Sequence, residues 1–432
     1  HTDVAKEVRK AAKKLDRSVA IIQDLPGPKI RVGKIGAGGK EISAGESLKF
    51  KFSETKDTDG FIPIQHDFSK EIKKGDRLFL RDGQIQTEVT AVKDGVIMAK
   101  AINSGKILSD SGINLPDTVF KNGVLSKKDE KDLTVTSKID ADYVAVSFAH
   151  TPADIEHVKS QILKNKSDAK VIAKIETKSA VDNLEEIIKI SDAVMIARGD
   201  LAIEIGPEKV PIVGREIILL CRKYKKPVIM ATQMLESMIS SETATRAEVS
   251  DVATAVFEGA DAVMLSAESA AGQYPIEAVT MMNRIAEEVE TDATYRSIIN
   301  AQRSELPNPT SADAIAVAVR DIAQTLHSKA ICAWTSSGST ALRIARERPQ
   351  SPILALTPKR DTARRLALVW GVHALETRDA VDIEDMVSRA GEYSRSEGFG
   401  EEGDRIIIVA GMPFGSPGAT NMIRIAHLGD KP

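Results

Sequence analysis

Two spacings of apolar residues divide the chain. Residues 2–15 place Val4, Val8, Ala11, Ala12 and Leu15 at helical intervals, which predicts an amphipathic helix. Residues 18–23 (SVAIIQ) predict a short buried strand, closed by the turn Asp24-Leu25-Pro26-Gly27-Pro28-Lys29. From Gly33 to Ser111 the rhythm shortens. Strand-like runs at 46–53, 76–81, 86–92 and 95–101 alternate with Gly, Asp and Asn turns, which predicts a small all-β insertion. From Val124 to Glu290 strand and helix patterns alternate. Strands are predicted at 143–148, 170–176, 193–197, 227–232 and 262–266, with helices such as 155–163 and 179–190 between them. These strands are apolar on both faces, as strands covered on both sides must be.

Each of these strands ends in polar residues: Ser147, Lys174 and Glu176, Arg198 and Asp200, Thr232 and Gln233, Ser266 and Glu268. Polar groups at the carboxyl ends of parallel strands are how a (β/α)8 barrel builds an active site. A polar stretch at 304–311 reads as a linker. Beyond it, a helix at 312–326 and strands at 330–334, 353–356 and 405–410 predict a separate α/β unit.

Composition narrows the function. The 432 residues suggest about three domains. Lys plus Arg is 59 against 62 Asp plus Glu, a net charge of −3, which leaves no electrostatic footprint for nucleic acid or an anionic membrane. Aromatic residues at 4% are too sparse for a base-stacking surface. No apolar run is long enough to predict a membrane span, and the first residues contain no apolar stretch of the kind that marks a signal peptide. Cys221 and Cys332 lie far apart, which excludes a disulfide scaffold and fits a reducing, cytoplasmic setting.

Lys174 and Glu176 are two apart on a predicted strand, so they share one face. Glu176 and Asp200, on successive strands, make a two-carboxylate Mg²⁺ site of the kind completed by substrate and water. Gly199 allows a ligand to approach the backbone, and a short helix over 201–205 aims N–H groups at an anion. Loop 335–340 (Thr335, Ser336, Ser337, Gly338, Ser339, Thr340) joins a strand to a helix. Its hydroxyls and helix N–H groups suit a phosphate, although no Lys follows the Gly as a P-loop requires. His150 and His157 lack a third ligand, and Met234 and Met238 read as packing.

Taken together, Lys174-Ile175-Glu176, residues 195–201 (MIARGDL), 230–238 (MATQMLESM), 245–248 (TRAE), the 24–31 turn and 112–116 (GINLP) resemble the pyruvate kinase family, in order and along nearly the whole chain. The resemblance implies a (β/α)8 TIM barrel from 1–32 and 113–299. It also implies a β-barrel lid at 33–112 and a C-terminal α/β effector domain at 300–432. The implied reaction moves the phosphoryl group of phosphoenolpyruvate to ADP, giving pyruvate and ATP. The resemblance assigns Mg²⁺ (or Mn²⁺) to Glu176, Asp200 and Asp24. It gives phosphoryl charge to Lys174, nucleotide phosphate to Arg31, and the substrate to Gly199, Asp200, Thr232, Ser147 and Ser266. Thr232 lies near the family's proton relay. A phosphorylated effector on loop 335–340 and a homotetramer are also implied.

Several positions depart from the family pattern. Lys29 stands where many members carry Glu and need K⁺, flanked by Leu25 and Val32 where those members have Thr. A tethered ammonium can replace the ion, so K⁺-independent activity is expected. Ser111, Arg81, Ala267 and Ser269 also differ. The strand bearing the family's Arg-x-Asn-x-Ser-His element is expected before His1, so the chain as given supplies about six of the eight barrel strands. Two other readings stay open on the residues alone: a pyruvate or enolate lyase on the same barrel, and a non-catalytic relative that binds sugar phosphate.

Overall fold

Short apolar strands pairing in parallel build the centre of the molecule. The computed structural model describes residues 2–36, 38–53, 60–81, 83–118, 123–303, 309–413 and 420–429. Ile22–Leu25, Tyr143–Val146, Lys170–Ile175, Ala193–Ala197, Val228–Ala231 and Ala262–Val263 pair in that order as one six-stranded parallel sheet. Alternation along each strand separates two cores. Val144, Val146, Val171, Ala173, Val194 and Ile196 face the surrounding helices. Tyr143, Ala145, Ile172, Ala193, Met195 and Ile229 face the concave interior. Continuing the period of two, Asp24, Ser147, Lys174 and Glu176 fall on the interior face at the strand ends.

The strands stop earlier than their composition predicts. Residues 148, 176, 232 and 266 lie beyond the ladder. Phe148, Thr232 and Gln233 adopt φ of 55°, 70° and 53°, which turns the chain out of the sheet. The first strand is displaced the other way. Asp24 and Leu25 belong to it because they pair with Ala145 and Val146, while residues 18–21 are not in strand. The helix predicted over 179–190 is two, Lys178–Asp182 and Leu184–Ile190. They divide at Asn183, whose amide donates to the carbonyls of His150 and Ser179.

The insertion is a sheet in the order Ile62–Ile64, Ser47–Phe52, Val96–Ala101, Ile85–Lys93, Arg77–Leu80, Ile113–Asn114, with Lys40–Ile42 and Gly105–Ile107 as a separate pair. Phe50, Phe68, Leu78, Leu80 and Ile97 form its own core. It bends over the barrel rim, where a methyl on Gly83 would lie 3.5 Å from Ile203.

The C-terminal unit is a five-stranded sheet in the order Val372–Glu376, Ile353–Thr357, Ala330–Trp334, Arg405–Gly411, Thr420–His427, the last strand antiparallel. Sequence patterning misses Val372–Glu376 and Thr420–His427. Both are edge strands made mostly of half-buried or exposed residues, so neither reads as an apolar run. Most of the 304–311 linker and of the Gly/Pro loop after Gly411 lies outside the described residues.

The Thr2–Lys14 helix is held by charge more than by packing. Ala5 is its buried residue among those described. Arg9 donates to Asp142 at 2.7 Å, and the same carboxylate oxygen accepts the Ile21 N–H at 2.8 Å. Asp142 is 2% exposed, so its loss leaves the Arg9 charge with only the Val19 and Asp140 carbonyls and the Ile21 amide without its carboxylate acceptor. Asp142→Ala is expected to cost about 3 kcal/mol in the first urea transition; an unchanged midpoint would exclude this contact as the anchor.

Candidate active site

Lys174 is the hub of the interior face. Its ammonium lies 3.0 Å from Glu176 Oε1, 3.3 Å from Asp24 Oδ1 and 2.8 Å from Ser147 Oγ. The other Glu176 oxygen accepts the Phe148 N–H at 2.9 Å. Glu176 is 1% exposed. Burial raises its pKa above the ordinary carboxylate value. Lys174 and the Phe148 N–H oppose that rise, and the Asp200 charge adds to it. Burial works against the Lys174 ammonium as well. The Glu176 and Asp24 carboxylates outweigh it, holding the lysine protonated beyond its usual range.

Backbone devices position the next strand's residues. Asp200 lies in the first turn of the Arg198–Ile205 helix, which begins three residues earlier than its sequence predicts. Arg198 reaches back to the following strand end. It donates to the carbonyls of Ala231 at 3.2 Å and Thr232 at 2.7 Å, and to Asp251 at 2.6 Å. Left-handed backbone at a β-branched residue costs of order 1–3 kcal/mol, and these contacts hold Thr232 there. The Thr232 hydroxyl then accepts the Gly199 N–H at 3.0 Å. That N–H, expected to face a substrate carboxylate, is therefore bonded within the site. Glu268, 2% exposed, ties the last two strand ends together by accepting the N–H groups of Leu235 and Ser266. Ser266 is exposed at the opposite edge of the sheet from Asp24.

The turn after Asp24 is anchored from below. Fully buried Asp129 caps its own helix through Ser126 and accepts the Gly27 N–H at 3.4 Å. Gly27 has φ +69°, and a Cβ there would meet Phe148 at 3.0 Å, so only glycine fits. Lys29, exposed beyond this turn, lines a cavity of about 840 Å³ between insertion and barrel, together with His66, Asn114, Asp117, Phe148 and Glu204. Arg31 leaves the barrel for the insertion, where it donates to the Asp110 carbonyl at 2.9 Å. Sequence reasoning missed Asp129 and Glu204, and placed Glu268 at a strand end without its anchoring contacts. The first carried one signal, the Ser126–Asp129 capping-box spacing. Burial pushes Glu204 up to about 7, with Arg77 of the insertion and Asp117 as charged neighbours.

Glu176 and Asp200 stand near enough for the Asp200 charge to act on the Glu176 carboxyl, a donor set of the kind a divalent ion takes. Asp24 is drawn onto Lys174 instead, and no group of three or more His, Cys, Asp or Glu suited to a metal forms among the described residues. Two carboxylates are what Mg²⁺ takes when a phosphorylated substrate completes its shell.

Loop 335–340 stands apart from this site. Thr335 accepts the Gly338 N–H at 3.0 Å, and the Thr340 hydroxyl pairs with that of Thr420 at 2.8 Å, so both are consumed within the fold. Ser337 is exposed, and Ser336 and Ser339 are half-buried.

The family model for the pyruvate kinase barrel domain matches residues 1–279, and that for the pyruvate kinase alpha/beta domain matches 313–426. A pyruvate kinase of Methylorubrum extorquens is 48% identical over 422 residues, covering 98% of this chain and 87% of the relative. One of Agrobacterium vitis is 42% identical over 432 residues, covering 99% and 90%. The crystal structure of a pyruvate kinase from Cryptosporidium parvum superposes with a TM-score of 0.90 at 34% identity, covering 98% of this chain and 87% of that one.

Two outcomes are expected. Glu176→Gln should weaken Mn²⁺ binding, followed by paramagnetic resonance, by about tenfold or more; unchanged binding would remove Glu176 from the metal site. Glu204 has a raised folded pKa, so its contribution to stability is lost as pH rises from about 4.5 towards 7. Glu204→Gln should therefore gain roughly 2 kcal/mol on the wild type between pH 5 and pH 8 in urea unfolding; parallel curves for the two proteins would contradict this.

Proposed function

The chain belongs to the pyruvate kinase family, phosphotransferases that move the phosphoryl group of phosphoenolpyruvate to ADP, and on that premise we propose how its own residues divide the reaction. The observation that carries the reading is the Lys174 ammonium, held charged beside Glu176 and Asp24 at the mouth of the barrel. Phosphoryl transfer needs positioning and charge neutralisation more than covalent chemistry. Lys174 meets the charge spread over the transferring group. Glu176 and Asp200 hold Mg²⁺ (or Mn²⁺), which when bound supplies further positive charge to the phosphoryl oxygens.

Thr232 accepts from Gly199, so its own O–H is oriented to donate into the site. It binds the substrate's carboxyl end, and its hydroxyl lies on the relay that passes a proton from solvent to the enolate left after transfer, regaining the proton it hands on. Ser147, bonded to Lys174, keeps the ammonium in place. Arg31 takes nucleotide phosphate. The insertion closes over the rim and excludes water, which would otherwise take the phosphoryl group.

Lys29, on a turn fixed by Asp129 and Gly27, supplies the positive charge that K⁺ provides in other members. A phosphorylated effector binds through the outward hydroxyls of loop 335–340. The assembly is a homotetramer, and the setting is cytoplasmic. Among the described residues no helix is long and apolar enough to cross a membrane.

In K⁺-free buffer with Mg²⁺, pyruvate should form from phosphoenolpyruvate only when ADP is present, and K⁺ at constant ionic strength should stimulate by less than about tenfold. ADP-independent pyruvate would point to a lyase. Larger stimulation would end the assignment to Lys29. Lys174→Met should lower kcat by about 10²–10³-fold with a smaller change in KM; an effect confined to KM would make Lys174 a ground-state binder.

A further inference from the structure

A second cavity, about 20 Å³, lies between the barrel and the C-terminal unit. Arg222, Lys225, Lys226 and Asp261 line it from the barrel. Arg346 and Arg348 line it from the other side, at and beyond the end of the Ser339–Arg346 helix. Both arginines are more than nine-tenths buried, at 7% and 4% exposure.

Their hydrogen bonds are incomplete. Arg346 donates through Nε to Glu347 at 2.8 Å and through Nη1 to Asp313 at 3.0 Å, while its buried Nη2 has no acceptor. Arg348 donates through Nη2 to the Gly259 carbonyl at 2.7 Å and to Asp261 at 3.2 Å, and its plane stacks over Trp370. Its buried Nε and Nη1 have no acceptor. Asp261 is already engaged by three donors. One of its oxygens already accepts from Arg348 and the Trp370 N–H, and the other accepts the Val228 N–H.

The charge balance points the same way. Asp261, Asp313 and Glu347 are outnumbered by the five cations that line the cavity. Burial and the Arg348 charge pull the Arg222 guanidinium down to about 10, the response expected of a cation in a positive, dry environment. Buried guanidinium N–H groups require acceptors. Water would bring two protons that need acceptors of their own, whereas an anion brings none. The cavity has room for a body about the size of one or two waters.

We propose that this cavity binds a single monatomic anion of chloride size, which completes the Arg346 and Arg348 donor sets and bridges the barrel to the C-terminal unit.

Bromide is the direct probe, used on the full chain. Crystals grown in sodium bromide should show an anomalous peak within about 3.5 Å of Arg346 Nη2 and Arg348 Nη1. In solution, replacing gluconate by chloride at constant ionic strength should raise the melting temperature saturably, as a ligand of the folded state does. Arg346→Met should abolish that rise. A water at the position without anomalous signal, or a melting temperature that ignores which anion is present, overturns the proposal. The bromide map needs no variant, so a variant that fails to fold leaves the question decidable.

Discussion

The site depends on one buried ion pair. Glu176 is removed from water at the end of a strand, where an isolated carboxylate would take up a proton. Lys174, two residues earlier on the same face, stabilises its charge, and Asp24 and Ser147 from two neighbouring strands complete the ammonium's contacts. Breaking such a pair leaves an uncompensated charge, so each partner constrains the others. The cluster spans three adjacent strands and therefore also fixes their relative register at the rim. The candidate site for phosphoryl chemistry and a joint of the barrel are here the same atoms.

Around that pair the molecule uses backbone conformation as an instrument. Phe148 and Thr232 leave their strands through left-handed φ, and both are held there by neighbours. Phe148 donates its N–H to Glu176, and Arg198 holds the carbonyl of Thr232. Strain at these positions directs N–H groups and a hydroxyl to the interior that a regular strand would point elsewhere. Glu268 and Asp129, neither in contact with Lys174, serve the same end by anchoring the turns that carry Thr232 and Gly27.

The contact between barrel and C-terminal unit is of a different kind. It is rich in arginine, with Arg222 donating to the Arg346 carbonyl and Arg348 to the Gly259 carbonyl. Guanidinium groups can bond carbonyls and carboxylates at once from a fixed plane, which suits a seam between separately built cores. The Ser339–Arg346 helix runs from loop 335–340 to this seam. Any ligand on the loop therefore acts on an element whose other end touches the barrel.

The spacing of residues was enough to order the strands, to recognise an all-β insertion and to set Lys174 beside Glu176 on one face. These features are local and periodic, and a period of two determines facing without tertiary information. The long motifs shared with a family added the reaction. What the sequence could not decide was non-local. That Asp24 is drawn to Lys174, that the Gly199 N–H is taken by Thr232, and that the Thr340 hydroxyl is paired with Thr420 all depend on residues distant in the chain meeting in space. Edge strands and strand ends were misjudged for a related reason. A half-exposed strand has no apolar run, and a strand stops where a neighbour's side chain captures its next amide, which composition does not encode. Local pattern therefore determined which groups line the barrel mouth, and tertiary structure decided which hydrogen bonds and charges each of them has left to offer a substrate.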